Sequence, residues 1–355
     1  YTVGAHQWAP LPTLPEDTDL VILPLPKSSE RLELLLRGLA GSVEEPLEVW
    51  LVGPAKGGIR GGVTRLSRHA DGVTLVDSAR HCKVYRGALR PGPALSLEQV
   101  ESVVRVDDLD VISYPGVFSH GRLDEGTALL LQALAEAAPR GKALDMGCGC
   151  GVITAALAHA GCNVTGTDVS ATAVAAACST LNRNHLQGKV VGGDLYGGVE
   201  GRYQTLVTNP PFHDGRDRTM SITRRLIEQA PRHREENGEC WMVANRELPY
   251  VQWLDAAFRQ FEMPVAARGL AIGRDGFAPR PVESARFQMD LRAQPVPCFR
   301  NVAHERDFSV CHNGDLFAQP FGMGDDMRRE QHCHALVRLR ADQSFQLALV
   351  ERVES

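Results

Sequence analysis

Asp145-Met146-Gly147-Cys148-Gly149-Cys150-Gly151 is the stretch on which the fold turns. It closes the run Lys142-Ala143-Leu144 and opens the amphipathic stretch 152–160, so its glycines fall at a strand-to-helix turn. Glycine lets the backbone turn sharply and approach a ligand, and the first N–H groups of the helix are unpaired there. A nucleotide-like cofactor fits such a turn. Dinucleotide-binding enzymes also use a glycine-rich turn, but with a different spacing. Here the acid comes first, in the order Asp-x-Gly-x-Gly-x-Gly.

Downstream residues extend this reading. The acid-first turn resembles motif I of S-adenosylmethionine methyltransferases, a doubly wound α/β fold. Asp168 ends the next apolar run, 163–167, where an acid of that fold would reach ribose hydroxyls. Asp194 follows a third run, 189–193, and resembles the family's adenine-side acid. Next comes Thr205-Leu206-Val207-Thr208, strand-like, and then Asn209-Pro210-Pro211-Phe212. An exocyclic amine is a poor nucleophile, because its lone pair is delocalised into the ring. Acceptors that hold its hydrogens draw that lone pair toward a methyl donor. The Asn209 side-chain oxygen and the Pro210 carbonyl can serve as these acceptors, and the prolines fix the backbone without adding N–H donors. Phe212 offers a flat face on which a base can stack.

Composition permits an enzyme and excludes other classes. A chain of 355 residues that is 43% apolar is long enough for two domains with sizeable cores. No run approaches eighteen apolar residues, so no membrane-spanning segment is expected. The opening Tyr1-Thr2-Val3-Gly4 has neither the basic nor the apolar region of a signal peptide, and it lacks an initiator methionine. A cytoplasmic protein is therefore expected, with the chain beginning inside a longer gene product. Nine scattered cysteines suit a reducing compartment better than a disulfide framework. A formal charge of −5 argues against indiscriminate nucleic-acid binding, although local basic patches can still contact RNA.

The first hundred residues contain an internal repeat. A strand-like segment at 19–27, an amphipathic stretch at 30–39 and Glu48-Val49-Trp50-Leu51-Val52-Gly53 follow one another. Residues 204–212, 224–230 and Glu239-Cys240-Trp241-Met242-Val243-Ala244 do so in the same order, sharing Glu-x-Trp-x-Val. In the first copy Leu23 is expected where Asn209 stands, so the amine acceptor is missing. Residues 1–105 thus read as a partial, degenerate, non-catalytic methyltransferase-like domain, 106–270 as the catalytic domain, and 271–355 as an unassigned extension.

The chain resembles the bacterial 16S ribosomal RNA guanine-N2 methyltransferase C family and its large-subunit relatives. The resemblance rests on Val52 to Arg60, Asp77-Ser78-Ala79-Arg80-His81-Cys82, Pro115 to Gly126 and the acid-first turn. Asn209 to Gly215 and Val243-Ala244-Asn245 complete it. It covers residues 17–265 and implies tandem class I methyltransferase folds, an inactive copy joined to an active one. It also implies S-adenosylmethionine as cofactor, with Asp145, Gly147, Gly149, Gly151, Asp168, Asp194 and Asn209 at the donor, and Phe118, Asp124 and Gly126 flanking it. Asn209, Pro210, Pro211 and Phe212 would hold the guanine, with His213, Asp214 and Gly215 beside it. The expected reaction is direct in-line methyl transfer to a guanine N2 amine of ribosomal RNA, naked or in a subunit, by a monomer. No covalent enzyme intermediate is expected, because Cys148 and Cys150 occupy variable positions of the cofactor turn.

Lys56, Arg60, Arg65, Arg68, Arg80 and Lys83 form a locally basic set in the first copy. They read either as a solvated face or as a phosphate-tracking surface that positions RNA without reading bases. In the second copy, residues 268–276 read as a loop where the family has a strand. Residues 284–291 alternate well enough to replace it, and 334–340 with 345–350 could form a hairpin. Cys298, His304, Cys311, His312, His332, Cys333 and His334 match no standard zinc spacing, so no metal is expected. Three other functions remain open. One is a methyltransferase for another planar amine, an adenine N6 or a protein glutamine. A second is a catalytically silent RNA-binding or assembly factor. The third, an NAD-dependent oxidoreductase, has the wrong turn spacing and leaves Asn209 to Phe212 unexplained.

Overall fold

The structure is a computed structural model that describes residues 8–15, 17–210, 216–245, 250–258, 261–267, 270–275 and 347–349. The chain divides into two units, one of Tyr1–Val100 with Asn301–Val353 and the other of Glu101–Arg300. Among the described residues no helix is long and apolar enough to cross a membrane.

The first unit runs β1 (Leu20–Pro24), α1 (Ser29–Ala40), β2 (Leu47–Pro54), α2 (Ile59–His69), β3 (Ala70–Ala79) and β4 (Cys82–Leu89). Ser28 caps α1 by accepting from the Arg31 N–H at 3.1 Å, with Glu30 in the first turn and Arg37 in the last, as the helix dipole favours. Leu32, Leu35, Leu36 and Leu39 recur at helical spacing on one face and pack against Val21, Leu23, Val49 and Leu51. Burial of each such side chain contributes about 1.5–3 kcal/mol. The β3–β4 hairpin turns through Arg80 and His81, both at positive φ (48° and 65°), matching the twist of the flanking strands. A strand β14 (Leu347–Leu349) lies parallel to β1, and the sheet order is β14-β1-β2-β4-β3. The hairpin expected in the tail is thus corrected in part: 347–349 pairs with β1, and 334–340 lies outside the described residues.

The second unit opens with a hairpin of β5 (Ser102–Val106) and β6 (Leu109–Ser113), followed by α3 (Glu125–Ala137), β7 (Lys142–Met146), α4 (Val152–His159), β8 (Asn163–Asp168), α5 (Ala171–Arg183) and β9 (Lys189–Gly192). Then come β10 (Tyr203–Thr208), α6 (Arg216–His233), β11 (Arg234–Asn245), α7 (Tyr250–Ala257), β12 (Phe261–Ala267) and β13 (Leu270–Asp275). The strand order is β12-β13-β11-β10-β7-β8-β9, with β13 antiparallel to both neighbours and the rest from β11 to β9 parallel. Strand order therefore reverses between β7 and β10. In a doubly wound sheet that reversal opens a crevice at the carboxyl ends of the strands. The acid-first turn leaves β7 and Asn209 leaves β10, so both lie at this crevice.

β13 corrects the expectation of a loop at 268–276. Its glycine content argues against a strand, but ladders on both edges, to β11 and to β12, outweigh a weak local propensity. It takes the place for which residues 284–291 offered a replacement; that segment lies outside the described residues.

The internal repeat is visible as topology. β1-α1-β2-α2-β3-β4 and β10-α6-β11-α7-β12-β13 give the same spatial orders, β1-β2-β4-β3 and β10-β11-β13-β12. In both copies the tryptophan of β2 or β11 donates its indole N–H to the glutamate two residues before it, Trp50 to Glu48 and Trp241 to Glu239. The ladders shift one correspondence. Leu20 pairs with Glu48 as Thr205 pairs with Glu239, which places Pro24, and not Leu23, at the position of Asn209. Matching the prolines of the two segments misaligns them by one residue, because strand register follows the ladder. Neither residue has a side-chain amide.

Candidate active site

The turn after β7 is held from three sides. The Gly147 and Cys148 N–H groups donate to the Thr167 carbonyl at 2.8 and 2.9 Å, and the Gly149 N–H donates to Asp168 Oδ2 at 3.0 Å. Thr180 Oγ1 of α5 donates to the Cys150 carbonyl at 2.8 Å and accepts from the Ile112 N–H at 2.9 Å. Gly147, Gly149 and Gly151 all have positive φ (69°, 54° and 77°). They are glycines for different reasons. A Cβ on Gly147 or Gly149 would meet nothing within 4 Å, so those positions leave open space beside the backbone. A Cβ on Gly151 would come within 2.7 Å of the Ala177 Cα, so this residue lets α4 start against α5.

Asp145 is fully buried in β7. Its Oδ2 accepts from Thr154 Oγ1 at 2.6 Å, and its Oδ1 has no hydrogen-bond partner. Burial pushes its pKa up to about 7, against the lowering by Thr154 and with a smaller upward push from Asp168. An unpaired buried acceptor beneath a glycine turn favours a cationic or hydrogen-bond-donating ligand group. Asp168 is half-buried at the end of β8, and its Oδ1 accepts from the Ser170 N–H at 2.9 Å. Burial raises its pKa, while the N–H groups of Ser170, Gly149 and Val169 oppose the rise. Asp194 is exposed, and its Oδ2 accepts from Arg225 Nη2 of α6 at 2.9 Å.

Asn209 is half-buried, next to buried Pro210. Its Nδ2 donates to Asp124 Oδ2 at 3.0 Å and to Thr127 Oγ1 at 2.8 Å, while its Oδ1 is buried without a hydrogen-bond partner. Asp124 is the N-cap of α3 and also accepts from the Thr127 N–H at 2.9 Å. Gly126 sits in the same first turn. A Cβ there would stand 3.1 Å from both Asp124 Oδ2 and Val243 Cγ1, and 3.6 Å from Asn209 Oδ1. The site thus joins three sequence-predicted residues, Asp124, Gly126 and Asn209, in one cluster.

Phe118 is 53% exposed, in a loop shaped by positive φ at Gly116, Ser119 and Gly121. Pro211, Phe212, His213, Asp214 and Gly215 lie outside the described residues. Cys148 and Cys150 do not provide a thiolate: burial raises the Cys148 pKa well above its ordinary value and pushes that of Cys150 up to about 11. In the basic set, Lys56, Arg60, Arg68 and Arg80 are exposed. Arg65 and Lys83 are half-buried, and Arg65 donates to the Ser29 carbonyl at 2.9 Å. Among the described residues no His, Cys, Asp and Glu group could hold a metal, and the Cys and His residues of the tail lie outside them.

Thr127, Thr154 and Thr180 are site residues that sequence reasoning missed. Thr127 alone had a local signal, because Asp124-x-x-Thr127 before an apolar run reads as a capped helix start.

Comparison with known proteins places this site among relatives. Residues 108–273 match the family described as the methyltransferase small domain, and residues 5–102 match the methyltransferase small domain N-terminal family. The chain is 57% identical over 265 residues to the ribosomal RNA small subunit methyltransferase C of Alcanivorax borkumensis, covering 74% of this chain and 82% of that protein. It is 38% identical over 244 residues to the protein of the same name from Salmonella gallinarum, covering 68% and 71%. Among solved structures, the T. thermophilus 16S rRNA N2 methyltransferase RsmC, in complex with AdoMet and guanosine, superposes with a TM-score of 0.67 at 24% identity over 75% of each chain. That likeness concerns the fold.

Proposed function

The chain belongs to the ribosomal RNA small subunit methyltransferase C family, and on that premise we propose that it transfers a methyl group from S-adenosylmethionine to the N2 amine of a guanine in 16S ribosomal RNA. The observation that carries the acceptor chemistry is the Asn209 amide. Both its N–H bonds are engaged and its oxygen is buried and unpartnered, as an amine-holding acceptor must be. Tyrosine is commoner than phenylalanine after Asn-Pro-Pro in enzymes that act on adenine or glutamine amines, so Phe212 favours guanine.

The residues around the β7 turn fit the donor. Open space at Gly147 and Gly149, the unpaired Asp145 Oδ1 and the carboxylate of Asp168 suit a nucleoside with a cationic amino-acid tail. When bound, S-adenosylmethionine supplies a methyl group made electrophilic by its sulfonium. The protein contributes proximity and orientation. Asn209 Oδ1 and the Pro210 carbonyl each accept an amine hydrogen, leaving the nitrogen lone pair directed at the methyl carbon. As the N–CH3 bond forms the S–CH3 bond breaks, and the nitrogen, now cationic, loses a proton to water. Gly147, Gly149, Gly151, Phe118, Asp124, Gly126 and Asp194 complete the proposed donor side; Phe212 and Pro211 complete the base side.

Residues 106–270 are proposed as the catalytic domain and 1–105 as a non-catalytic copy. The basic set of that copy, with His213, contacts phosphates, and 271–355 is an appendage. The substrate places the protein in the cytoplasm, where it works as a monomer on ribosomal RNA or on a subunit. The test is transfer of a tritiated methyl group to ribosomal subunits and naked RNA from an unmethylated strain, followed by nucleoside digestion. Labelled N2-methylguanosine is expected, and Asn209→Ala should abolish it while leaving donor affinity within a few-fold. Label in another nucleoside or in protein, or full activity of Asn209→Ala, overturns the reading.

A further inference from the structure

The first turn of α3 does more than flank a cofactor. Asp124 and Thr127 are 85 and 82 residues away from Asn209 in sequence, yet between them they take both hydrogens of its amide nitrogen. Thr127 closes the arrangement: its hydroxyl accepts from Asn209 at 2.8 Å and lies 3.4 Å from Asp124 Oδ2, to which it donates, while its backbone N–H donates to the same oxygen. The amide therefore has one acceptable orientation. Turned by 180°, its oxygen would face a carboxylate oxygen and a hydroxyl whose hydrogen is already directed elsewhere, and the two N–H bonds would replace Oδ1 in its unpartnered place.

We propose that Thr127 and Asp124 are positioning residues that lock the Asn209 amide with its oxygen as the sole unpartnered group. This rests on the amine-acceptor reading of Asn209. It assigns Asp124 a role toward the methyl acceptor in addition to any toward the donor, and it adds Thr127 to the site. Neither touches the reacting atoms. They act by removing the rotamer in which Asn209 would present hydrogens to an amine that also presents hydrogens. α3 thereby couples its own N-terminal cap to the chemistry, since one carboxylate oxygen serves both.

The experiment uses the full chain with asparagine labelled by nitrogen-15, the Asn209→Ala protein serving to assign the Asn209 side-chain signal. Thr127→Val keeps the shape and the backbone N–H that Asp124 caps, and removes only the hydroxyl; Thr127→Ser restores it. In Thr127→Val the side-chain amide hydrogens of Asn209 should exchange with solvent on the order of tenfold faster. Single-turnover methyl transfer should fall on the order of tenfold with donor affinity unchanged. Thr127→Ser should return both to within a few-fold. Exchanging the partners tests Asp124: Asn209→Asp alone sets two carboxylates together, and adding Asp124→Asn should regain at least part of the lost rate. Unchanged amide exchange in Thr127→Val overturns the proposal even if the rate falls, as does a Thr127→Val protein that turns over like wild type. If the wild-type protein does not methylate guanine at all, the functional reading fails, and the exchange measurement still decides the positioning.

Discussion

Replacing Asp145 with asparagine should make the second unit markedly more stable at pH 8 relative to wild type than it does at pH 4. The carboxyl is fully buried, with one oxygen accepting from Thr154 and the other unpartnered, and burial holds its pKa near 7 against an ordinary 3.8. Because the folded-state value is the higher one, the folded protein binds the proton more tightly than the unfolded chain. Stability therefore falls as pH rises from about 4 through about 7, and the whole penalty is present above that range. At about 1.36 kcal/mol per pH unit the penalty is on the order of 4 kcal/mol. Asparagine carries no charge and keeps an oxygen for Thr154, but its NH2 inherits the unpartnered place, which costs about 1–3 kcal/mol at every pH. The diagnostic quantity is consequently the change with pH. The unfolding free energy of the variant minus that of wild type should rise by about 4 kcal/mol between pH 4 and pH 8. Urea titrations at half-unit steps, compared pairwise so that the first unit cancels, measure it. A difference that stays flat with pH, or one that grows toward acid, would refute a buried carboxyl that holds its proton.

Gly151→Ala should destabilise the second unit by about 2–4 kcal/mol, because its Cβ would meet the Ala177 backbone at 2.7 Å while φ is +77°. Thermal melting checks this, and a melting temperature equal to wild type removes the close α4–α5 approach. Asp168→Asn turns one acceptor oxygen into a donor facing the Gly149 or Ser170 N–H. Donor affinity by calorimetry should weaken on the order of tenfold, and an unaltered affinity would show that this acid does not organise the turn.

Local chemistry made much of this fold readable. The glycines of 147–151 announce the strand-to-helix turn, Asp168 closes the following strand, and Glu-x-Trp marks corresponding strands of the two copies. β13 escaped because Gly269 and Gly273 signal a loop, whereas its stability comes from ladders to strands 25 or more residues earlier as well as to its immediate predecessor. Pro24 was misplaced by one because proline matching ignores register. At the site, Asn209 was legible from its tetrapeptide, but the orientation of its amide was not. That depends on Asp124 and Thr127, which the chain brings back from more than eighty residues away. Thr180 was hidden for the same reason, since it links Ile112 to Cys150 across the sequence. The aspartate–arginine pair of Asp194 and Arg225 joins a loop to a helix 31 residues later and leaves no local pattern.

The position of β13 sets an order of events during synthesis. It lies between β11 and β12, and it is the only described partner of β12. As the chain emerges from the ribosome, β12 appears first and has nothing to pair with until residues 270–275 follow and insert beside β11. At about 5–20 residues per second this delay is brief, but for its duration β11 presents an open edge to any other strand nearby. In the first unit β4 inserts between β2 and β3 in the same way, only two residues after β3 ends. Each half of the nascent protein is thus sealed by its final hairpin, and a ribosome stalled just before either one would display a sheet with its seam still open.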